Sequence, residues 1–199
     1  MVRIEAGEFS YQADWFSKYI PDWKKYTESL TGMPDLKFLE VGSFEGRSTV
    51  WMLENILTHP SSKILCVDTF GGSMEHERMS IDTTTIEDTF WHNIRLTKAE
   101  EKVQVIKGTS QVVLRTLPFN TFDLAYIDGS HVATDVLSDA VLTLPLMKHG
   151  GIMVFDDYYW DDEPDPLNRP KMAIDAFLRV NKGLYETIKK YEQVAIKIK

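Results

Sequence analysis

The chain contains a single cysteine, no long apolar run and no large cluster of basic residues. One cysteine, Cys66, excludes a disulfide framework, so a reducing, cytoplasmic setting is expected. The apolar runs are too short to cross a bilayer, and the first residues, MVRIEAGEF, are not typical of a secretory signal; we therefore expect no membrane partner. The net charge of −8 disfavours a long nucleic acid as a partner.

The length and composition predict one α/β domain over residues 1–199. At 199 residues and 43% hydrophobic content, the chain can build one full core. Residues 1–35 are expected to form an N-terminal helical cap, with two short helices hinged at Pro21. Residues 36–199 carry strands that alternate with helices, which is typical of a mostly parallel sheet covered on both faces.

The predicted sheet has seven strands. Its first five are Leu36–Val41, Lys63–Asp68, Lys102–Lys107, Phe122–Asp128 and Gly150–Asp156, and Leu184–Lys199 supplies a C-terminal antiparallel hairpin. Helices are expected from near Arg47 to near His59–Pro60 and over Ile86–Leu96, Val132–Met147 and Met172–Val180. In the third of these, the predicted apolar face comprises Val136, Leu137, Ala140, Val141 and Leu144.

A glycine turn between the first strand and the first core helix is the strongest local signal for a ligand site. Gly42 permits a sharp turn, and Gly46 permits close approach of the backbone at a helix N-terminus. The dinucleotide fingerprint has a middle glycine that is absent here, where Phe44 and Glu45 stand between the two glycines. The turn therefore argues against NAD and nucleoside triphosphates, and Glu40 favours a ligand with a cationic or hydroxyl-rich end.

Acidic residues end several of the predicted strands, at the sheet edge where α/β proteins bind ligands. Asp68 follows Gly46 by 22 residues, the spacing at which a carboxylate reaches the hydroxyls of a ribose. Asp128, Asp156 and Asp157 end two neighbouring strands, and three carboxylates so placed suit a hard cation such as Mg²⁺. A strand cap without an ion is the alternative. His131 is a candidate general base, with a solvated or capping histidine as the alternative.

The run FLEVGSFEGRS resembles motif I of the class I methyltransferases that use S-adenosylmethionine (SAM). The order and spacing of Glu40, Gly42, Gly46, Ser48, Asp68, Gly108–Gln111, Asp128 and Asp156–Asp157 are similar to those of the metal-dependent O-methyltransferases of the catechol and caffeoyl-CoA type. The runs VDTFGG, IDGSH and LPLMKHGGIMVFDDY look more like methyltransferase family 24, which includes macrolide-sugar enzymes.

This resemblance, over about Leu36 to Tyr158, implies a Rossmann-like methyltransferase fold and a SAM site. Ser110 and Gln111 would contact the adenine edge, and Glu40 or Ser43 the methionine end; Gly42, Gly46, Ser48 and Asp128 would complete the cofactor site. Asp128, Asp156 and Asp157 would bind Mg²⁺, although the family has Asn at the last position. His131 and Asp128 would be catalytic, where the catechol enzymes carry a lysine base three residues after the acid.

The function predicted on these grounds is Mg²⁺-assisted O-methylation of a small hydroxylated acceptor, a sugar or a phenolic compound. One alternative is a metal-independent methyltransferase or a hydroxylase-annotated relative with the same fold. Another is a SAM-binding partner protein without catalysis. A small molecule is the expected partner, and self-association into a homodimer is left open.

Overall fold

A seven-stranded sheet organises the computed structural model, which describes residues 8–73, 76 and 78–199. The strands are β1 (Lys37–Val41), β2 (Lys63–Asp68), β3 (Val103–Lys107), β4 (Phe122–Ile127), β5 (Met147–Phe155), β6 (Tyr185–Lys190) and β7 (Val194–Ile198). Their order across the sheet is β3-β2-β1-β4-β5-β7-β6. The first five run parallel, and β7 inserts antiparallel between β5 and β6. The predicted Rossmann-like sheet with a terminal hairpin is confirmed.

The helices that concern the site connect these strands. They are α1 (Ile20–Tyr26), α2 (Arg47–Asn55), α3 (Ile86–Leu96), the short α4 (Ser110–Val113), α5 (Ala133–Thr143) and α6 (Pro170–Val180). The predictions of β2 and of α3 agree with the structure to the residue.

The core lies on both faces of the sheet, because neighbouring strand residues point to opposite sides. On one face, Phe38 belongs to a cluster with Trp23 of α1 and Trp51 of α2. On the other, Leu39 belongs to a cluster with Val136 of α5 and Phe177 of α6. Both strand residues have no exposed surface. Among the described residues, no helix is long and apolar enough to span a membrane.

Three local predictions are wrong. Pro21 does not hinge two helices but lies in the first turn of α1, where its missing N–H costs no hydrogen bond. Strand β5 begins at Met147 rather than at Gly150, and its pairing with β4 shifts register between Phe122 and Leu124. The buried face of α5 is rotated from the predicted one, so that Val141 is 52% exposed.

The buried face of α5 carries polar as well as apolar side chains. It comprises Ala133, Val136, Asp139, Ala140 and Thr143. Four aromatic residues of the predicted N-terminal cap, Phe16, Tyr19, Trp23 and Tyr26, pack into the core on one face of the sheet.

Candidate active site

The glycine turn and the end of β4 lie in direct contact. Gly42 has a φ of +83°, and a Cβ atom placed there would lie 2.0 Å from the main-chain oxygen of Asp128. The Asp128 amide in turn donates to the Val41 carbonyl at 2.8 Å. Gly46 also has a positive φ, of +79°, and a Cβ there would lie 2.9 Å from the ring of Phe90. Both positions therefore require glycine, for the close approaches that the sequence predicts.

The buried side chain of Glu40 connects the glycine turn with the start of α2 through hydrogen bonds. Its carboxylate has no exposed surface and accepts hydrogen bonds from the hydroxyls of Ser43 (2.7 Å), Ser48 (2.5 Å) and Thr49. Burial raises the pKa of Glu40, and these hydroxyl donors oppose the rise. The predicted cofactor residues Glu40, Ser43 and Ser48 thus form one buried unit, and their contact with a cofactor stays a prediction.

Asp68 is placed at the carboxyl end of β2, beside the same turn. Its Oδ2 accepts from the main-chain amides of Ser43 (2.6 Å) and Phe44 (2.9 Å), and its Oδ1 accepts from the Phe70 amide at 2.7 Å. A carboxylate has about four acceptor positions, so these three bonds leave capacity for a ligand hydroxyl. The predicted ribose contact of Asp68 remains compatible with this arrangement.

Ser110 and Gln111, the predicted adenine contacts, begin α4 and are both half-buried. Behind them lies Asp139 of α5, a carboxylate that sequence reasoning did not single out. It is 1% exposed, and burial raises its pKa to about 6, while a hydrogen bond from the Ser110 side chain opposes the rise. Its Oδ1 has no hydrogen-bond partner in the described part of the chain.

Asp128, His131 and Asp157 converge at the ends of β4 and β5. Each offers one ligand atom, and these atoms lie within 4.8 Å of one another. His131 Nε2 is 2.6 Å from Asp157 Oδ2, and the imidazole packs against the ring of Trp160, with centroids 4.7 Å apart. Burial raises the pKa of Asp128 well above its usual range; the charges of the neighbouring acids add to the effect, and His131 opposes it.

The ligand types in this group fit a divalent cation. Carboxylate oxygens suit Mg²⁺, and an imidazole nitrogen suits several transition metals. Asp157 has a φ of +57°, a backbone conformation that is uncommon outside glycine. The sequence predicts Asp128 and Asp157 as metal ligands. The structure brings His131 to the same place, so that its imidazole is a third possible ligand.

Asp156 is not part of this group. Its Oδ2 accepts from the Tyr126 hydroxyl and from Gln193 Nε2 (3.0 Å), and its Oδ1 accepts from the Asp157 amide at 2.8 Å. Gln193 in turn accepts from the Trp23 indole at 3.0 Å. Burial, with the charge of Asp157 as the second cause, raises the pKa of Asp156 to about 7. To bind a metal ion as predicted, the carboxylate of Asp156 would have to coordinate the ion while it also accepts these internal hydrogen bonds.

An N-terminal segment, residues 8–17, lies across the glycine turn. Gln12 donates to the buried Glu45 through its main-chain N (2.6 Å) and its Nε2 (2.9 Å). Its side chain also bonds the main chain of Asp82 in both directions. Both carboxylate oxygens of Glu45 therefore accept hydrogen bonds from this segment.

Three aromatic rings close this end of the site. Phe44 of the turn stacks on His76 with centroids 4.8 Å apart, and Trp15 lies 5.3 Å from Phe44 and 5.7 Å from His76. Sequence reasoning did not connect these residues, because their contacts join segments far apart in the chain. Phe44, which replaces the middle glycine of a dinucleotide turn, is the link between them.

The chain is similar to known proteins in sequence and in fold. Residues 39–158, more than half of the chain, match the methyltransferase domain family. An uncharacterized protein of Acanthamoeba polyphaga mimivirus is 31% identical over 126 residues, which are 62% of this chain; the chain thus spans only about half, 52%, of that curated relative.

Solved structures share the fold at low sequence identity. An O-methyltransferase of Bacillus cereus in complex with S-adenosylhomocysteine (SAH) has a TM-score of 0.64 and 16% identity, with 98% of this chain and 84% of that chain covered. The methyltransferase MycE of the mycinamycin pathway, in complex with Mg and SAH, has a TM-score of 0.63 and 15% identity. That similarity covers 94% of this chain and 52% of the MycE chain.

Proposed function

The chain belongs to the methyltransferase domain family, and from that premise we propose that it transfers the methyl group of SAM to a hydroxyl oxygen of a small acceptor, with a divalent cation, Mg²⁺, at the site. A sugar or a phenolic compound is the proposed acceptor class. The SAH bound to the Bacillus cereus neighbour and the Mg and SAH bound to MycE support the choice of cofactor and ion.

The observation that carries the proposal is the contact between the glycine turn and the end of β4. Gly42 leaves no room for a Cβ against the main chain of Asp128. The carboxylate of Asp128 belongs to the group that also contains His131 and Asp157. A cofactor at the turn would therefore lie beside an acid–imidazole group, which would hold and deprotonate an acceptor hydroxyl next to the methyl group.

The proposed chemistry gives each of these residues at least one role. The acceptor oxygen attacks the methyl carbon, the bond from that carbon to sulfur breaks, and its electron pair neutralises the sulfonium, giving SAH. The acceptor's proton goes to the imidazole of His131, which Asp157 orients and whose positive charge Asp157 then stabilises. Asp128 and Asp157 would hold the cation, which when bound lowers the pKa of an acceptor hydroxyl.

For the cofactor itself, we propose the contacts that the sequence predicts. Asp68 would accept from the ribose hydroxyls, and Ser110 and Gln111 would contact the adenine. Glu40 and Ser43, whose side chains bond each other, would shape the turn around the methionine end, together with Gly42, Gly46 and Ser48.

The test uses a spectroscopic ion and needs no knowledge of the acceptor. Binding of Mn²⁺, followed by electron paramagnetic resonance in the presence of SAH, should weaken at least about tenfold in Asp128→Asn and Asp157→Asn. Asp156→Asn is the matched control, because its carboxylate faces Tyr126 and Gln193; Mn²⁺ affinity should change less than about threefold there. SAH affinity, measured by calorimetry, reports that each variant is folded.

Each outcome of this test decides a part of the proposal. Absence of SAH binding by the unchanged protein would refute the methyltransferase function. SAH binding without Mn²⁺ binding would refute the metal. An equal loss in Asp156→Asn would assign all three carboxylates to the ion, as the sequence predicts. Formation of SAH from SAM with a panel of sugars and phenols then identifies the acceptor class.

A second candidate is methyl transfer without a metal. The contact of 2.6 Å between His131 and Asp157 favours it, because a carboxylate that orients an imidazole makes a general base by itself. Under this alternative, turnover persists in excess EDTA and is lost in His131→Ala. Under the metal mechanism, EDTA abolishes turnover.

A further inference from the structure

Asp157 has an uncommon backbone conformation at the point where the proposed chemistry needs a fixed carboxylate. Its φ of +57° lies in the left-handed region, which residues other than glycine seldom adopt. A strained backbone of this kind persists only where the surrounding structure holds it in place. In this conformation the carboxylate lies 2.6 Å from Nε2 of His131. The contacts of the two neighbouring residues therefore decide whether Asp157 stays at the site.

The preceding residue, Asp156, is fixed in the core. Its Oδ2 accepts hydrogen bonds from Tyr126 and Gln193, and its Oδ1 accepts from the amide of Asp157 at 2.8 Å. The amide of Asp157 is thus held from the side of β5. An asparagine at position 156 would still offer an oxygen to this amide, so this support does not require a charge.

The following residue, Tyr158, is fixed through its main chain and its side chain. Its amide donates to the carbonyl of Glu192, in the turn between β6 and β7, at 2.9 Å. Its side chain is 2% exposed, and its hydroxyl lies between two charged groups of α6. The hydroxyl donates to Asp175 Oδ1 and accepts from Lys171 Nζ, both at 2.8 Å. Tyr158 therefore attaches the chain after Asp157 to α6.

Two ammonium groups strengthen this attachment. Nζ of Lys171 and Nζ of Lys190 lie over the ring of Tyr158, 4.7 and 4.9 Å from its centroid, where a cation is attracted to an aromatic face. Both lysines also bond the carboxylate of Asp175. An aliphatic side chain at position 158 would lose the hydroxyl bonds and the contacts with the cations together.

We propose that Tyr158 is a positioning residue for Asp157, and that its attachment to α6 keeps the Asp157 carboxylate at His131 and at the proposed ion. This inference rests on the proposed function. The amide of Trp160 closes the turn by donating to the Asp157 carbonyl at 2.9 Å. If residue 158 is released, the backbone of Asp157 can relax to a negative φ, and its carboxylate then turns away from the imidazole.

The experiment is a double-mutant cycle between Tyr158→Leu and Asp157→Gly. Mn²⁺ binding to the full chain is followed by electron paramagnetic resonance in the presence of SAH. With Asp157 in place, Tyr158→Leu should weaken Mn²⁺ binding at least about fivefold, because metal ligands depend on the groups that orient them. In Asp157→Gly, which has no carboxylate to position and tolerates a positive φ, the same change should weaken Mn²⁺ binding less than about twofold.

Tyr185→Leu is the matched control. The hydroxyl of Tyr185 also bonds α6, at the Leu178 carbonyl (3.0 Å), but Tyr185 belongs to β6 and is not a neighbour of Asp157. Its replacement should change Mn²⁺ affinity less than about twofold. SAH affinity, measured by calorimetry, reports that each variant is folded.

A general structural role of Tyr158 would weaken Mn²⁺ binding equally with Asp157 and with glycine at position 157, and that result overturns the proposal. Unchanged Mn²⁺ affinity in Tyr158→Leu also overturns it. If Tyr158→Leu does not bind SAH, Tyr158→Phe takes its place, which keeps the ring and removes the hydroxyl. Its loss of Mn²⁺ affinity should be at least about threefold and should again depend on Asp157; an equal loss in the two backgrounds refutes the inference.

A measurement without metal separates this inference from the proposed function. Absence of SAH binding or of Mn²⁺ binding by the unchanged protein would refute the proposed function or its metal. Hydrogen exchange of the Asp157 amide, followed by nuclear magnetic resonance, then decides the role of Tyr158. Exchange should be at least about fivefold faster in Tyr158→Leu than in the unchanged protein and in Tyr185→Leu. Equal rates in the three proteins would refute the positioning of Asp157.

Discussion

Replacing Asp139 by Asn should make the protein more stable at neutral pH. The substitution keeps the size and shape of the side chain and removes a charge that is almost wholly buried. The unpartnered Oδ1 receives no compensation from the described residues. A neutral amide in the same place avoids the desolvation of a carboxylate and still offers Ser110 an acceptor.

The magnitude follows from the pKa of Asp139, which burial raises from 3.8 to about 6. A difference of roughly two pH units corresponds to about 3 kcal/mol that ionisation costs the folded state at pH 7. Because the folded state holds this proton more tightly than the unfolded state, the cost is absent below about pH 4 and complete above about pH 6. Burying the asparagine amide also costs free energy, so the expected net stabilisation of the variant is about 1–2 kcal/mol.

The assay is urea unfolding of the unchanged protein and of Asp139→Asn at pH 7 and at pH 4.5. The free energy of unfolding of the variant should exceed that of the unchanged protein by about 1–2 kcal/mol at pH 7, and the gain should shrink by more than half at pH 4.5. A variant less stable at pH 7 would show that the Asp139 carboxylate is compensated in the folded protein, and a gain independent of pH would show that the gain does not come from its ionisation.

Two further predictions concern the turn and the segment that covers it. Gly42→Ala should lower the free energy of unfolding, measured in urea, by at least about 3 kcal/mol, because its methyl group would overlap the main chain at the end of β4. Gly71→Ala is the control: the nearest atom to an added Cβ lies at 3.5 Å, so the change should be less than about 1 kcal/mol. An effect at Gly42 as small as that at Gly71 would contradict the close approach. Gln12→Leu should lower the free energy of unfolding by about 2–4 kcal/mol, because it leaves the buried carboxylate of Glu45 with one hydrogen-bond donor fewer. The same change at the exposed Gln104 should leave the free energy of unfolding nearly unchanged, and equal stability of the two variants would refute the role of Gln12.

The sheet could be predicted from the sequence because its signals are local. The apolar run of β2 is bounded by Lys63 and Asp68, and the apolar residues of α3 follow helical spacing over the same range as the helix itself. The glycine turn could be placed for the same reason, since only glycine tolerates the conformation at positions 42 and 46. The strand-end acids followed from the sheet, because parallel strands end at one edge.

Contacts between distant segments could not be predicted in this way. Ser10 and Asn93 bond each other across 83 residues, and no periodicity in either segment indicates that pairing. Asp139 did have a local signal, since it follows Val136 by three residues and precedes Thr143 by four, on what the structure shows to be the buried face. The predicted apolar face includes Leu137, Val141 and Leu144, lies one step around the helix, and therefore leaves Asp139 outside it.

The pair Asp156–Asp157 shows why adjacent acids in a sequence are not equivalent ligands. Successive side chains of an extended strand point to opposite sides, so a pair at a strand end presents one member to each face unless the backbone turns. Here Asp156 continues β5 and points into the core, toward Tyr126 and Gln193. The positive φ of Asp157 turns the chain and carries its carboxylate to His131. The two residues therefore have different surroundings. Asp156 accepts hydrogen bonds from neutral donors and stabilises the end of the strand. Asp157, after the turn, contacts the imidazole of His131.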